Sequence, residues 1–159
     1  MEINFLKYLR DNPSAYPNND GYKGTIKPIS LQEIENLEQL YNNNSSFPKA
    51  LKELLYLAGN GCYVLETGLF DSQEEMQTEA RELLEKYNKN ISRPFFAIDM
   101  YNSGDQFIYV YLDEEENPLV HQAYLPTNDN IPTYKNLNKS LSEFIKHRIE
   151  TFKKGYNPF

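Results

Sequence analysis

Apolar positions recur along this chain at two spacings, about 3.6 residues where a helix is predicted and 2 where a strand is. Ile3, Phe5, Leu6 and Leu9 give residues 2–10 a short amphipathic pattern. Residues 11–28 carry Pro13, Pro17, Gly21, Gly24 and Pro28 among several Asn, which predicts a long loop or arm. A helix starts after Ser30, because Ser30 and Glu33 have the spacing of a capping box. Ile34, Leu37, Leu40 and Tyr41 form its apolar face, and Asn42-Asn43-Asn44-Ser45-Ser46 ends it. Pro48 suits the first turn of a second helix, lined by Ala50, Leu51, Leu54, Leu55 and Ala58. Gly59 and Gly61 flank Asn60 and are expected to supply the positive φ that stops this helix.

Residues 62–66 (Cys62-Tyr63-Val64-Leu65-Glu66) predict a short strand, followed by a turn at Thr67-Gly68. A long helix is predicted over 71–89, capped by Asp71 with Glu74 three residues on. Met76, Ala80, Leu83, Leu84 and Tyr87 share its apolar face. Its outer residues, Glu74, Glu75, Glu79, Arg81, Glu82, Glu85 and Lys86, predict a solvated face with some helix-supporting ion pairs. Strands follow at 95–100, 106–112 and 118–124, separated by Asn102-Ser103-Gly104-Asp105 and by Asp113-Glu114-Glu115-Glu116-Asn117. In the middle strand Phe107, Tyr109 and Tyr111 alternate with Ile108, Val110 and Leu112. The aliphatic set is expected to pack on helices and the aromatic set to face outward or a cleft. Three antiparallel strands in a meander are the economical topology. Residues 126–138 predict a loop. The last helix carries a second capping box, Ser140 with Glu143, and an apolar face of Leu141, Phe144, Ile145, Ile149 and Phe152, and Gly155 stops it. The result is an α+β chain: one domain over 1–159, with an N-terminal helix and loop arm at 1–28, a core at 29–154 and a tail at 155–159.

Charge narrows the function. The chain of 159 residues holds 16 Lys and Arg against 23 Asp and Glu, a net charge of −7. That balance disfavours nucleic acid and anionic membrane as partners, since both need clustered cations. It favours a basic partner where the charge is patchy. The excess concentrates in the helix at 71–89 and in Asp113 to Glu116. The ends (Lys7, Arg10, Lys146, Arg148, Lys153, Lys154) are comparatively basic. One cysteine, Cys62, permits no intrachain disulfide and reads as a buried small hydrophobe. His121 and His147 lie in different elements without a paired Cys, so no metal site is expected. The opening MEINFLKYLRDNP lacks a signal peptide's apolar core, and no window reaches the roughly 20 apolar residues of a membrane span. A cytoplasmic location is the expectation.

Catalytic motifs are absent: no phosphate-cradling glycine loop, GxSxG elbow, HExxH or EF-hand loop occurs. No cofactor is expected. Asp99 and Asp105 flank the first hairpin turn and could pair, or Asp105 could serve the turn backbone. His121 reads as a hydrogen-bonding strand residue or, with Asp99 and Asp105, as part of an unrecognised hydrolase. The 13 Tyr, with Trp absent, either suit a binding surface, since Tyr offers large area at low entropic cost, or simply replace other aromatics in a Lys/Asn-rich composition.

The order of elements carries a resemblance. Ile34-Glu35-Asn36-Leu37-Glu38, then Phe47-Pro48-Lys49-Ala50-Leu51-Lys52-Glu53-Leu54-Leu55, then Gly59-Asn60-Gly61, resemble the opening of the SUKH superfamily. That group includes the Smi/Knr cell-wall-assembly regulators. Phe96-Ala97-Ile98-Asp99 and Asn102-Ser103-Gly104-Asp105-Gln106-Phe107 resemble its strand, Gly-Asp turn and aromatic strand, and 140–149 its closing helix. Phe47 stands where the family more often has Leu. The resemblance implies an α+β domain without a catalytic set. Its bacterial members are similar to immunity proteins that neutralise a cognate secreted toxin by direct binding, and its fungal members are linked to cell-wall synthesis. A toxin-neutralising protein is therefore expected, with a cell-wall or glucan-synthesis regulator as the alternative. The partner would be a protein with a basic surface. The candidate contact residues are Asp99, Tyr101, Asp105, Tyr109, Tyr111, Asp113, Glu114, Glu115 and Glu116.

Overall fold

The computed structural model describes residues 1–16, 23–67, 70–101, 105–127 and 130–158. These form five helices and two antiparallel sheets. The helices are α1 (Lys7–Arg10), α2 (Leu31–Tyr41), α3 (Lys49–Ala58), α4 (Gln73–Lys86) and α5 (Leu141–Lys153). A small sheet joins β1 (Ser14–Ala15), β2 (Gly24–Lys27) and β3 (Gly61–Cys62). The larger one is a meander of β4 (Phe95–Tyr101), β5 (Gln106–Tyr111), β6 (Leu119–Tyr124) and β7 (Tyr134–Ser140), paired in that order. The fold is α+β.

The larger sheet is covered on both faces. Phe96, Ile98, Ile108, Val110, Leu112 and Val120 face α2, α3 and α5 in one core. Phe95, Ala97, Met100, Phe107, Tyr109 and Ala123 face Met76, Ala80, Leu83 and Leu84 of α4 in a second. The alternation in β5 is as expected, but its aromatic face is not open: α4 lies over it and buries Phe107 and Tyr109 completely. An apolar stripe on α4 needs apolar cover, and this face of the sheet supplies it.

Local chemistry accounts for the helix ends. Both capping boxes form, with Ser30 and Glu33 on α2 and Ser140 and Glu143 on α5. Asn43 and Asn44 take positive φ after α2 (50° and 63°), which Asn tolerates better than most residues. At the end of α5 the amide of Gly155 donates to the Phe152 carbonyl and that of Tyr156 to Thr151, a Schellman motif with Gly155 at φ 79°. At α3, Gly59 is still helical at φ −67° and only Gly61 has positive φ. Gly59 is needed for space instead: a Cβ there would lie 2.8 Å from Ile29 and 2.6 Å from the Leu55 carbonyl oxygen. The cap of α4 is Ser72 with Glu75, one residue later than Asp71 with Glu74.

Other expectations change: the predicted loop at 11–28 contains β1 and β2, and of the predicted strand at 62–66 only Cys62 lies in β3. β7 takes in the last five residues, 134–138, of the predicted loop at 126–138. The expected turn at 102–105 lies, except for Asp105, outside the described residues, as does Gly68. Residues 2–10 are helical only over Lys7–Arg10, and Ile3, Leu6 and Leu9 join the main core. The Glu53 carboxylate, fully buried on α3, accepts the amide protons of Asn4, Phe5 and Leu6 at 2.7–2.9 Å and ties the segment down.

Candidate partner-binding surface

The acidic turn between β5 and β6 is built into the fold. Arg93 forks onto Asp113 with contacts of 2.6 and 3.1 Å and reaches Glu114 at 3.4 Å. The hydrogen bond from Arg93 holds the Asp113 carboxyl below its ordinary pKa. The same guanidinium lies 3.8 Å from the centre of the Tyr111 ring. Glu114 also accepts the Leu119 amide proton at 3.1 Å. Glu116 crowns α3: its carboxylate accepts from the Lys49 amide at 3.0 Å and its carbonyl from Ala50 at 2.8 Å. Pro48, at the N-cap, has no side chain that could do this. Glu115 is exposed and makes none of these contacts.

Tyr109 is not a surface residue. It is fully buried, and its hydroxyl meets that of half-buried Tyr111 at 3.3 Å. Tyr101 is half-buried at the end of β4, and burial raises its phenol pKa. His121 packs between Tyr109 and Tyr111, with ring centroids 5.4 and 4.7 Å away. Its Nε2 lies 3.8 Å from Glu114 and has no hydrogen-bond partner. Stacking, not hydrogen bonding through Nε2, therefore holds this histidine. Burial lowers its pKa, with Glu114 raising and Arg93 lowering it further, so the ring is neutral at pH 7.

The hydrolase grouping does not assemble. Asp99 sits at the bulge in β4 and is completely buried, so it belongs to no partner surface either. Its carboxylate pairs with Arg148 of α5 at 2.6 Å and accepts the Glu66 amide proton at 2.7 Å. Arg148 also donates to the Val64 carbonyl at 2.9 Å. Burial raises the Asp99 pKa, opposed by Arg148 and the Glu66 amide. Asp105 accepts the Tyr87 hydroxyl at 2.8 Å. Asp99 thus faces α5, Asp105 meets the end of α4, and His121 lies among the tyrosines of the other face. Cys62 is buried with its thiol pushed up to about 12 by burial, so it acts as a small hydrophobe.

The freely presented acidity lies on α4. Glu74, Glu75, Glu82 and Glu85 are exposed and Glu79 is half-exposed. None of the ion pairs among the described residues includes them. The expected intrahelical pairs are not among them: Lys86 lies 5.6 Å from the centre of the Tyr87 ring, and Arg81 turns inward. Its guanidinium sits 4.5 Å from both the Tyr41 and Phe95 rings and donates to the Gln77 and Phe95 carbonyls. Gln77, fully buried, clamps α4 to edge strand β4 by exchanging two 2.8 Å hydrogen bonds with Ala97. The sequence held a signal for the outer face, since its glutamates recur at helical spacing. The signal for the Asp99–Arg148 pair was Arg148 itself, a cation four residues from both Phe144 and Phe152 on an apolar stripe.

Among the described residues no helix is long and apolar enough to cross a membrane. Also among them, no group of three or more His, Cys, Asp or Glu is placed to hold a metal ion. Searches of curated proteins and of solved structures return no match. A family profile does match, over residues 28–147, from the start of α2's cap through most of α5. On that match, which covers three quarters of its length, the chain belongs to the SMI1/KNR4 family (SUKH-1).

Proposed function

We propose that this chain is a non-enzymatic binding protein that neutralises a cognate secreted toxin by direct contact, in the cytoplasm of the cell that makes it. Family membership supports a binding role. The observation that carries the reading is the outer face of α4, five glutamates without a cation partner among the described residues, which favours a basic protein surface. Long-range attraction between such surfaces raises association rates more than it deepens affinity. A few apolar or aromatic anchors would then hold the complex.

The test is to mix the purified chain with the toxin encoded beside its gene and measure association by surface plasmon resonance. A stoichiometric complex whose association rate falls steeply with salt is expected. Absence of a complex at low salt, with the toxin folded and active, rejects the reading.

A further inference from the structure

A trough follows the seam between α2, the end of α3 and the start of α4. Two hollows of about 250 and 550 Å³ make it up, and they share Ile29, Glu33 and Asn60. Its aliphatic lining is Ile26, Ile29 and Leu57 at one end, Leu37 and Leu40 at the other. Leu40 was expected in the core, on the apolar face of α2. It is instead 57 % exposed, at the lip of the smaller hollow. The rim there is acidic, with Glu33, Asp71 and Glu74. Ser72 and Glu74 carry it on into a depression along α4 lined by Glu75, Glu79 and Glu82.

The sign of the rim is uniform. None of the described residues lining these three hollows is Lys, Arg or His. Two other hollows are mixed: one carries Lys49 and Lys52 beside Glu35 and Glu116, and another Arg81 and Lys89 beside Glu85. Glu33 is committed to its capping box, and Glu75 accepts the Asp71 amide proton. The carboxylates of Asp71 and Glu74 enter no ion pair or side-chain hydrogen bond among the described residues, and they stand beside exposed Leu40. The exposed aliphatic side chain of Leu40 beside the carboxylates of Asp71 and Glu74 matches a side chain with an apolar stem and a cationic head.

We propose that this trough receives a segment of the partner protein in which Lys or Arg stands beside a large aliphatic residue. The aliphatic side chain covers Leu37 and Leu40, and the cation reaches Asp71 and Glu74. The proposal rests on the reading that this chain works by binding a protein, and it locates the contact. Burial of the exposed leucine supplies residence time and the acidic rim supplies encounter rate.

The test uses the full chain labelled with 15N and titrated with the peptide acetyl-LRLRLR-amide, with acetyl-LELELE-amide as control. Chemical-shift changes are expected at the amides of Leu37, Leu40, Asn60 and Glu74, from the arginine peptide alone. Leu40→Ser and Asp71→Lys alter exposed side chains that make no hydrogen bond or ion pair among the described residues, so both variants should keep the parent spectrum elsewhere. Each should weaken the peptide by about tenfold or more. No shift in the trough, shifts centred on the turn at 113–116, or equal response to both peptides overturns the proposal. The two readings also fail separately. A toxin bound equally well by the Leu40→Ser, Asp71→Lys double variant overturns the trough and leaves toxin binding standing. Peptide seated in the trough without any toxin complex does the reverse.

Discussion

The turn at Asp113–Glu116 and the outer face of α4 are both acidic, and the fold treats them oppositely. In the turn, Asp113 and Glu114 converge on Arg93, and Glu116 satisfies the first amides of α3. On α4, the glutamates project from a helix whose arginine has turned inward between Tyr41 and Phe95. The reason is geometric. A hairpin tip carries its side chains next to whatever lies beneath it, here a helix N-terminus and an arginine. A helix whose opposite face is buried holds its outer side chains away from the body. Contiguous like charge therefore marks a place where the fold can use charge. Like charge at helical spacing opposite an apolar stripe marks charge left for solvent or for a partner.

The largest effect of a carboxylate substitution is expected in the core. Asp99 is the carboxylate most fully used by the fold. Asp99→Ala removes the carboxylate that pairs with the buried Arg148 guanidinium and accepts the Glu66 amide proton. Breaking one side of a buried pair costs roughly 3–5 kcal/mol. Urea unfolding should show that loss, and Asp99→Ala with Arg148→Met should recover part of it. A loss below about 1 kcal/mol would place Asp99 with the solvent-facing carboxylates instead.

Next comes Glu116→Ala. The Lys49 amide loses its acceptor while the Glu116 carbonyl keeps Ala50, so the expected cost is about 1 kcal/mol, as for other lost N-caps. For a chain of this size that is about 2–4 °C in Tm. Glu115→Ala, one residue earlier and without these contacts, is the control and should leave Tm unchanged.

Sequence alone carried these distinctions unevenly. The capping boxes at Ser30 and Ser140, the apolar stripes of α3 and α5 and the alternation of β5 were legible, because each follows from neighbours within four residues. β7 was not. Its sequence, YKNLNKS, has one aliphatic residue, Leu137, packed on the core, and its other side chains are largely exposed. An edge strand of Lys and Asn is held by backbone pairing to β6 and shows no period-2 pattern. The candidate contact residues divided for a similar reason. Asp99 and Tyr109 are polar in composition but buried by partners 49 residues away or by a whole helix, which no local pattern reveals. The Asp113–Glu116 run was visible, but its partners Arg93 and Lys49 were distant in sequence.

His121 gives a smaller effect that sharpens the same contrast, since Glu114 faces it at 3.8 Å without a hydrogen bond. Its pKa is lowered in the folded state from 6.5, chiefly by burial. The folded protein then binds fewer protons there than the unfolded chain, so stability rises with pH. This contribution is complete above the unfolded value and is lost as pH falls below 6.5 through the folded one. Charged groups facing the ring are Glu114 and Arg93, and the tyrosines are Tyr109 and Tyr111. His121→Phe keeps a ring in the stack and removes the titration. Its Tm against pH should be flatter than the parent's between pH 7 and 5, with the two curves parallel above pH 7. A parent curve that steepens in the opposite sense would mean that the imidazolium pairs with Glu114 and that this carboxylate is used more fully than its distance suggests.

The smallest stability effect is expected on α4, and it separates the two acidic regions most directly. Glu79, Glu82 and Glu85 stand three residues apart on one face, where like charges repel, and Glu85 lies in the last turn, where the helix dipole disfavours an anion. Replacing all three by Gln removes repulsion and breaks no hydrogen bond or ion pair found among the described residues. Each substitution should stay within about 0.5 kcal/mol of neutral, with the triple variant at or slightly above the parent in urea unfolding. The same variant should bind the partner with a slower association rate and a weaker dependence on salt, because it removes charge that only an incoming surface feels. Asp113→Asn with Glu114→Gln gives the complementary pattern: a loss of up to about 1 kcal/mol in stability from the Arg93 pairs and little change in association rate. Exchange of those two outcomes would mean that the turn is the docking surface and that α4's glutamates serve the fold.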